Sequence, residues 1–429
     1  MMFRAITIRC VLLVLPWSLV AANAVAQTLD SATRTVHVAP SGSDDTRALA
    51  TAFDICLALG PGCTVRLEAG TYYTRQQDVA GFRGAVIGAG ADATVIEPLT
   101  PYRVSPERVD VSVRPPDPGT SPVMFTFRDS DVTVRDVGFA VRDPSPSEPW
   151  YFGDLEIRAL AVILSFEGEH ASVDLERVAI DTGPGVTFGA SVFNGVFVLP
   201  GPADDGATMH ARVHVRESRI HGPLSGIALG DLEASTVIVR DSLVEAGIAI
   251  EINDVASSLI ELRGNVLAGD EPGVVAQTVA QRRSLSGPTT LVMTGNTVRV
   301  GPGDRSVGLF LSDEGTPPSQ QAFVTGNRFE LDGSLAAVRG LADAAVVRDN
   351  VITGTAASGI RVGGNSPHSG GVVARPWLVV DNDVRTLEAN AVGSVAILVT
   401  SDSRRGVVAC AGPTSVRDGG ASTVLLGCD

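Results

Sequence analysis

The chain has 429 residues, with 33 Lys plus Arg against 48 Asp plus Glu and a formal net charge of −15. That balance argues against a nucleic-acid partner, because affinity for a phosphate backbone comes largely from Lys and Arg. Lysine is wholly absent, so every fixed positive side-chain charge is an arginine and a lysine base is excluded.

Residues 1–26 read as a secretory signal peptide. Arg4 and Arg9 supply the positive start, Cys10 to Val20 the apolar core, and Ala24-Val25-Ala26 a small-x-small site with cleavage after Ala26. The apolar run is short for a membrane span, and no later stretch reads as transmembrane. A secreted or periplasmic protein is expected, with residues 27–429 forming a single domain. Four cysteines remain in two close pairs, Cys56 with Cys63 and Cys410 with Cys428, so a disulfide is expected near each end.

Residues 44–60 read as a cap helix. Asp44-Asp45 gives an acidic start, and Leu49, Ala52, Phe53, Cys56 and Leu57 form its apolar stripe. Downstream the chain repeats. A unit of apolar-x-apolar, a two-residue turn and a second apolar strand recurs nine times, with turn positions at Val137, Val178, Ser218, Ser242, Asn265, Asn296, Asn327, Asn350 and Asn382. The apolar column before the turn runs from Val134 through Val215, Leu262 and Val324 to Val379. The column after it runs from Phe139 through Ile220, Leu267 and Phe329 to Val384, with no polar residue in either.

Period-2 alternation on both sides of the turn marks two strands. A third strand precedes each repeat, as in Gly226-Ile227-Ala228-Leu229 and Gly359-Ile360-Arg361-Val362. No helical pattern lies between them, so the expected fold is a right-handed parallel β-helix of three-stranded rungs, about ten turns long, closed at its N-terminal end by the helix. Asn tolerates the positive φ of a sharp corner. Rungs stack at ~4.8 Å, so Asn265, Asn296, Asn327, Asn350 and Asn382 are expected to form an internal hydrogen-bonded ladder.

Asp44 to Leu49, Val65-Arg66-Leu67-Glu68-Ala69-Gly70-Thr71-Tyr72 and Val86-Ile87-Gly88-Ala89-Gly90 onward to Ile96 resemble the opening of pectin-lyase-like β-helix proteins. The resemblance implies the fold over nearly the whole chain. It also implies a superfamily of polysaccharide lyases, hydrolases, epimerases, tailspikes and non-catalytic surface proteins. Motifs of the lysine-dependent lyases and of polygalacturonases are missing. On the third strand, Ala228, Ala249, Val275, Phe310, Ala337, Arg361 and Leu398 read as an outward column that is mostly apolar.

Three long loops, 97–122, 141–158 and 182–195, interrupt the early rungs, and loops of that length are commonly functional. Trp150 and Tyr151 in the second offer aromatic faces to a sugar. Three residues after the turn, Asp181, His221 and Glu245 fall on successive rungs with Arg219 beside them. A carboxylate-flanked His suits a general base, and carboxylates two rungs apart sit about 10 Å from each other, near the spacing of inverting glycosidases. His214 and Arg216 are candidate binders of an acidic ligand. The bland alternative is cross-strand charge pairing on a solvent face.

The expected function is binding of or action on a polysaccharide or cell-surface glycan, as a lyase or glycoside hydrolase. The alternative is a non-catalytic carbohydrate-binding or structural solenoid. No cofactor is required, calcium fits an arginine-base lyase, and a monomer is expected.

Overall fold

The computed structural model describes residues 27–99, 123–141, 150–152, 155–157, 162–182, 194–200, 207–269, 277–281, 289–302, 306–311, 320–340, 344–362, 377–387, 395–399, 407–409, 416–418 and 424–426. The signal segment, Cys410 and Cys428 lie outside these residues. So do 100–122, 142–149 and 183–193, the bulk of the three loops.

Parallel strands stack into three long faces. The first face is one 15-stranded sheet that begins at Gln27–Asp30 and Thr35–Val38 and ends at Val424–Leu426. Only its first pair is antiparallel, so 14 strands stack in parallel among the described residues. The solenoid is therefore longer than the nine repeats. Thr35–Val38, Cys63–Leu67 and Arg83–Ile87 add rungs before them, and Val407–Ala409 and Val424–Leu426 add rungs after. The second face, after the Asn corner, runs from Gly70–Thr74 and Thr94–Pro98 through Ala179–Asp181, Arg219–His221 and Leu243–Ala246 to Asp383–Leu387. The third face runs from Gln77–Ala80 through Val162–Glu167, Ser225–Glu233 and Ile248–Ala256 to Val416–Asp418.

Alternation fills the coil. Val134, Leu175, Val215, Val239, Leu262, Met293, Val324, Val347 and Val379 point inward from the first face and are fully or almost fully buried. Trp377 packs inward in the space left by the missing side chain of Gly340.

The corner differs from the sequence expectation in one respect. Positive φ belongs to the residue before the Asn: Asp136, Arg177, Glu217, Asp241, Gly264, Gly295, Gly326, Asp349 and Asp381, all between 50° and 66°. The Asn is thereby free to turn its amide inward. Asn265 donates from its backbone N to Asn296 Oδ1 at 2.9 Å and from its Nδ2 to the same oxygen at 3.0 Å. Asn296, Asn327 and Asn350 repeat both bonds onto the next rung as far as Asn382. Each Asn amide also donates to a carbonyl of the preceding rung, Asn327 to Met293 at 3.0 Å for example. Ser242 and Ser218 extend the ladder with hydroxyls. At the corner between the third and first faces Ser235 and Ser258 form a shorter ladder, and Ser130 separately accepts from Phe82 N.

The cap is an α-helix over Thr46–Leu59 that buries Ala48, Leu49, Ala52, Phe53 and Cys56. Leu57 lies off that stripe and is 39% exposed. Asp45 does not cap the helix through its side chain. It accepts from Ser41 N at 2.8 Å and Tyr73 N at 3.1 Å, tying the helix start to the second face. Phe53 plugs the coil against Phe82, Phe125 and Phe127, with ring centres 5.4–6.4 Å away. The Cys56–Cys63 disulfide joins the helix to the first face.

Candidate functional site

Ile180, Ile220 and Val244 point into the coil and are buried, so the next residue on each strand points out. Asp181, His221 and Glu245 thus form one outward column, each in register with the next. His221 Nδ1 lies 3.3 Å from Asp181 Oδ1. Both remain open to solvent, with side chains 42% and 59% exposed. Arg219 turns away from them to Asp92, 3.0 Å from its Oδ1, across 127 residues of sequence.

Glu245 opens onto a shallow groove of about 550 Å³ that runs along the second face over the next rungs. Its floor is Ala268, Gly269, Gly301, Thr353 and Gly354. Small side chains there leave room for a ligand lying across the rungs. Its rims are charged: Arg299 and Arg328 both bind Glu330, at 3.3 and 2.7 Å. The Arg328 hydrogen bond holds the Glu330 carboxyl below the ordinary glutamate value. Among the described residues no group of three or more His, Cys, Asp and Glu is placed to hold a metal ion.

The first-face candidates are drawn into an ion-pair network. Arg216 pairs with Glu176 at 2.8 Å and Asp174 at 3.4 Å on the preceding rung. Arg177 grips Asp136 through two hydrogen bonds of 2.7 and 3.1 Å and also pairs with Glu176. That grip lowers the Asp136 carboxyl below its usual range. His214 stands in register with Asp174, and at the start of the same two strands the rings of His170 and His210 stack with centres 5.5 Å apart. Trp150–Phe152 pairs antiparallel with Leu155–Ile157, a hairpin inside what the sequence presented as a plain loop. The side chains of Trp150 and Tyr151 lie outside the described residues.

The third face corrects a register drawn from sequence. Ala228 pairs with Glu251, not with Ala249, and the column continues through Ala280, Phe310, Arg339 and Arg361 to Leu398. Ala249 and Ala337 belong to a neighbouring column; both are small residues beside Gly-containing strand starts, which the sequence alignment used as anchors. The face is thus not bare. In its early rungs Arg128 joins Asp78 at 2.8 Å and Glu167 at 3.3 Å. Ser165 Oγ donates to Glu167 at 2.8 Å. Glu167 is fully buried, and burial pushes its carboxyl up despite Arg128. A buried, perturbed carboxylate of this kind marks a structural or functional centre. Sequence offered no signal for it, since Ser165-Phe166-Glu167 reads as an ordinary alternating strand.

No protein-family model and no curated protein matches the chain. Solved structures similar to it include tailspike protein 3 of bacteriophage CBA120, 13% identical, covering 89% of this chain and 58% of that one with a TM-score of 0.47. The DFA-IIIase of Arthrobacter chlorophenolicus A6 is 14% identical, covering 89% and 98% with a TM-score of 0.46. The catalytic unit of an α-1,3-glucanase from Streptomyces thermodiastaticus is 15% identical, covering 90% and 65% with a TM-score of 0.47. The chain spans little more than half the length of the tailspike.

Proposed function

We propose that this protein acts on an extracellular polysaccharide laid along the second face, with Asp181, His221 and Glu245 at one end of the groove. The observation that carries this reading is continuity: the outward column of ionisable residues leads directly into a groove whose floor is Ala, Gly and Thr and whose rims are charged. A polymer chain running down the coil axis meets a hydrogen-bonding side chain on nearly every rung, a geometry suited to an extended glycan.

In a hydrolytic reading, Asp181 orients His221 through the 3.3 Å contact and His221 takes the proton of an attacking water. Glu245, one rung on, protonates the departing glycosidic oxygen. The signal peptide read from residues 1–26 would carry the protein to such a substrate.

A second reading, binding without turnover, is favoured by the exposure of the pair, since a general base works best in a site that excludes water. One assay separates the two. A panel of neutral and acidic glycans is incubated with the protein and followed for new reducing ends and for absorbance of unsaturated products. Reducing ends without absorbance are expected, and both His221→Ala and Asp181→Asn should lower the rate at least 100-fold. Full activity in both variants overturns the site. Binding with no product over long incubation selects the second reading, and an unsaturated product replaces hydrolysis by elimination.

A further inference from the structure

Two of the six histidines meet on the first face, away from the second-face groove. His170 and His210 open the adjacent strands His170–Glu176 and His210–Arg216 and stand in register with each other. One rung separates them, ~4.8 Å along the coil. Their rings lie 19° from parallel with centres 5.5 Å apart, and both residues are exposed. Their backbones are pinned. Asp129 Oδ1 accepts from Glu169 N at 2.9 Å and from His170 N at 3.4 Å, and His210 N donates to Glu169 O at 2.9 Å. The His210 ring is oriented as well, because its Nδ1 lies 2.8 Å from Glu233 O. A carbonyl oxygen only accepts, so in the neutral ring Nδ1 carries the proton and Nε2 keeps the free lone pair. Donating one ring N–H to a backbone carbonyl while the other nitrogen stays open is how metal-ligating histidines are held. The net charge of −15 favours a cation here, and the one arginine between His210 and His214, Arg212, hydrogen-bonds Ser172 at 3.4 Å.

We propose that His170 and His210 together bind one divalent ion of the copper, nickel and zinc class through their Nε2 atoms. Imidazole suits these borderline ions, whereas calcium and magnesium prefer oxygen ligands. Metal–imidazole bonds are ~2.0–2.1 Å long, so the two nitrogens must approach within about 4 Å. Exposed rings reach that separation by rotation about their side-chain bonds. Among the described residues no third His, Cys, Asp or Glu completes the set, so water fills the remaining positions. The ion would staple two rungs whose contact is otherwise made by backbone hydrogen bonds and side-chain pairing. This site stands whether or not the groove turns over a glycan.

Titration of copper(II) chloride into the protein, produced without a histidine tag, tests it by calorimetry and electron paramagnetic resonance. One equivalent should bind, with a spectrum that shows two imidazole nitrogens. A residue that merely orients a metal ligand is worth 10–100-fold in affinity, so loss of a ligand in His170→Ala or His210→Asn should weaken binding at least about tenfold. Each variant should leave one nitrogen in the spectrum. Asn at 210 keeps a donor for Glu233 O, so the Tm of H210N without metal should match the wild type. His37→Ala, at the start of the same face, should bind as the wild type does. Excess calcium should not displace the copper. Wild-type binding without the two-nitrogen signature, unchanged affinity in H170A and H210N, an equal loss in H37A, or displacement by calcium overturns the proposal. Should H170A fail to fold, H210N and the wild-type spectrum decide it alone.

Discussion

Asn327 shows what a single side chain does in this solenoid. Its Oδ1 accepts two hydrogen bonds from Asn296, and its Nδ2 donates to Met293 O and Asn350 Oδ1. Removing it orphans buried groups on both neighbouring rungs, and each such group costs about 1–3 kcal/mol. Asn327→Ala should therefore destabilise by about 3 kcal/mol, read as a lower denaturant midpoint. Gly326 beside it isolates the backbone contribution: a side chain added there meets nothing within 4 Å, yet φ is +66°. Gly326→Ala should lose about 1 kcal/mol from left-handed backbone alone. Spacing made the ladder legible in sequence, whereas the assignment of positive φ to Asn was misplaced by one residue. Asp, Arg, Glu and Gly all occupy the true corner position, so no residue pattern announces it.

Glu167 carries a pH dependence at the same scale. Its folded pKa lies above the ordinary 4.5, chiefly through burial, so folding favours the protonated form. That contribution is full below the unfolded value and is lost as pH rises through the folded one. The Tm of Glu167→Gln relative to wild type should move in the variant's favour between pH 4 and pH 7; a difference that stays flat would contradict the burial account.

Among elements, the cap helix and its disulfide are the part most legible in sequence. The acidic start, the apolar stripe and two cysteines seven residues apart place all of it, with Leu57 misassigned because the stripe narrows at its last turn. Cys56 and Cys63 close a short loop, for which chain entropy gives about 2 kcal/mol. Their double Ser variant should unfold lower by that amount, and Phe53→Ala should lose about 3–5 kcal/mol as a buried aromatic at the end of the coil. The third face was the least legible element. Its strands start at varying distances from the corner, so an alignment on Gly-Ile slipped into a neighbouring column and hid Glu251 and Arg339. A slip of two residues leaves a period-2 pattern unchanged, so the pattern did not reveal that Ala249 and Ala337 pack in the core.

For the whole molecule, the coil follows from repetition, while the groove does not. Its lining comes from Glu245 to Gly354, more than 100 residues whose proximity exists only once the rungs stack. Sequence found the ionisable column at its mouth because those residues share a turn offset. It missed the floor, since Ala268, Gly269 and Gly301 look like unremarkable small residues. No helix among the described residues is long and apolar enough to cross a membrane. The most direct test of the groove fills that floor. Ala268 is partly exposed and outward-facing, so Ala268→Trp adds bulk without entering the core. Equilibrium titration of both proteins against the glycan panel should show wild-type binding to at least one polymer and a loss of tenfold or more in A268W at an unchanged Tm. Equal affinity in the two proteins, or no glycan bound by the wild type, would contradict the account.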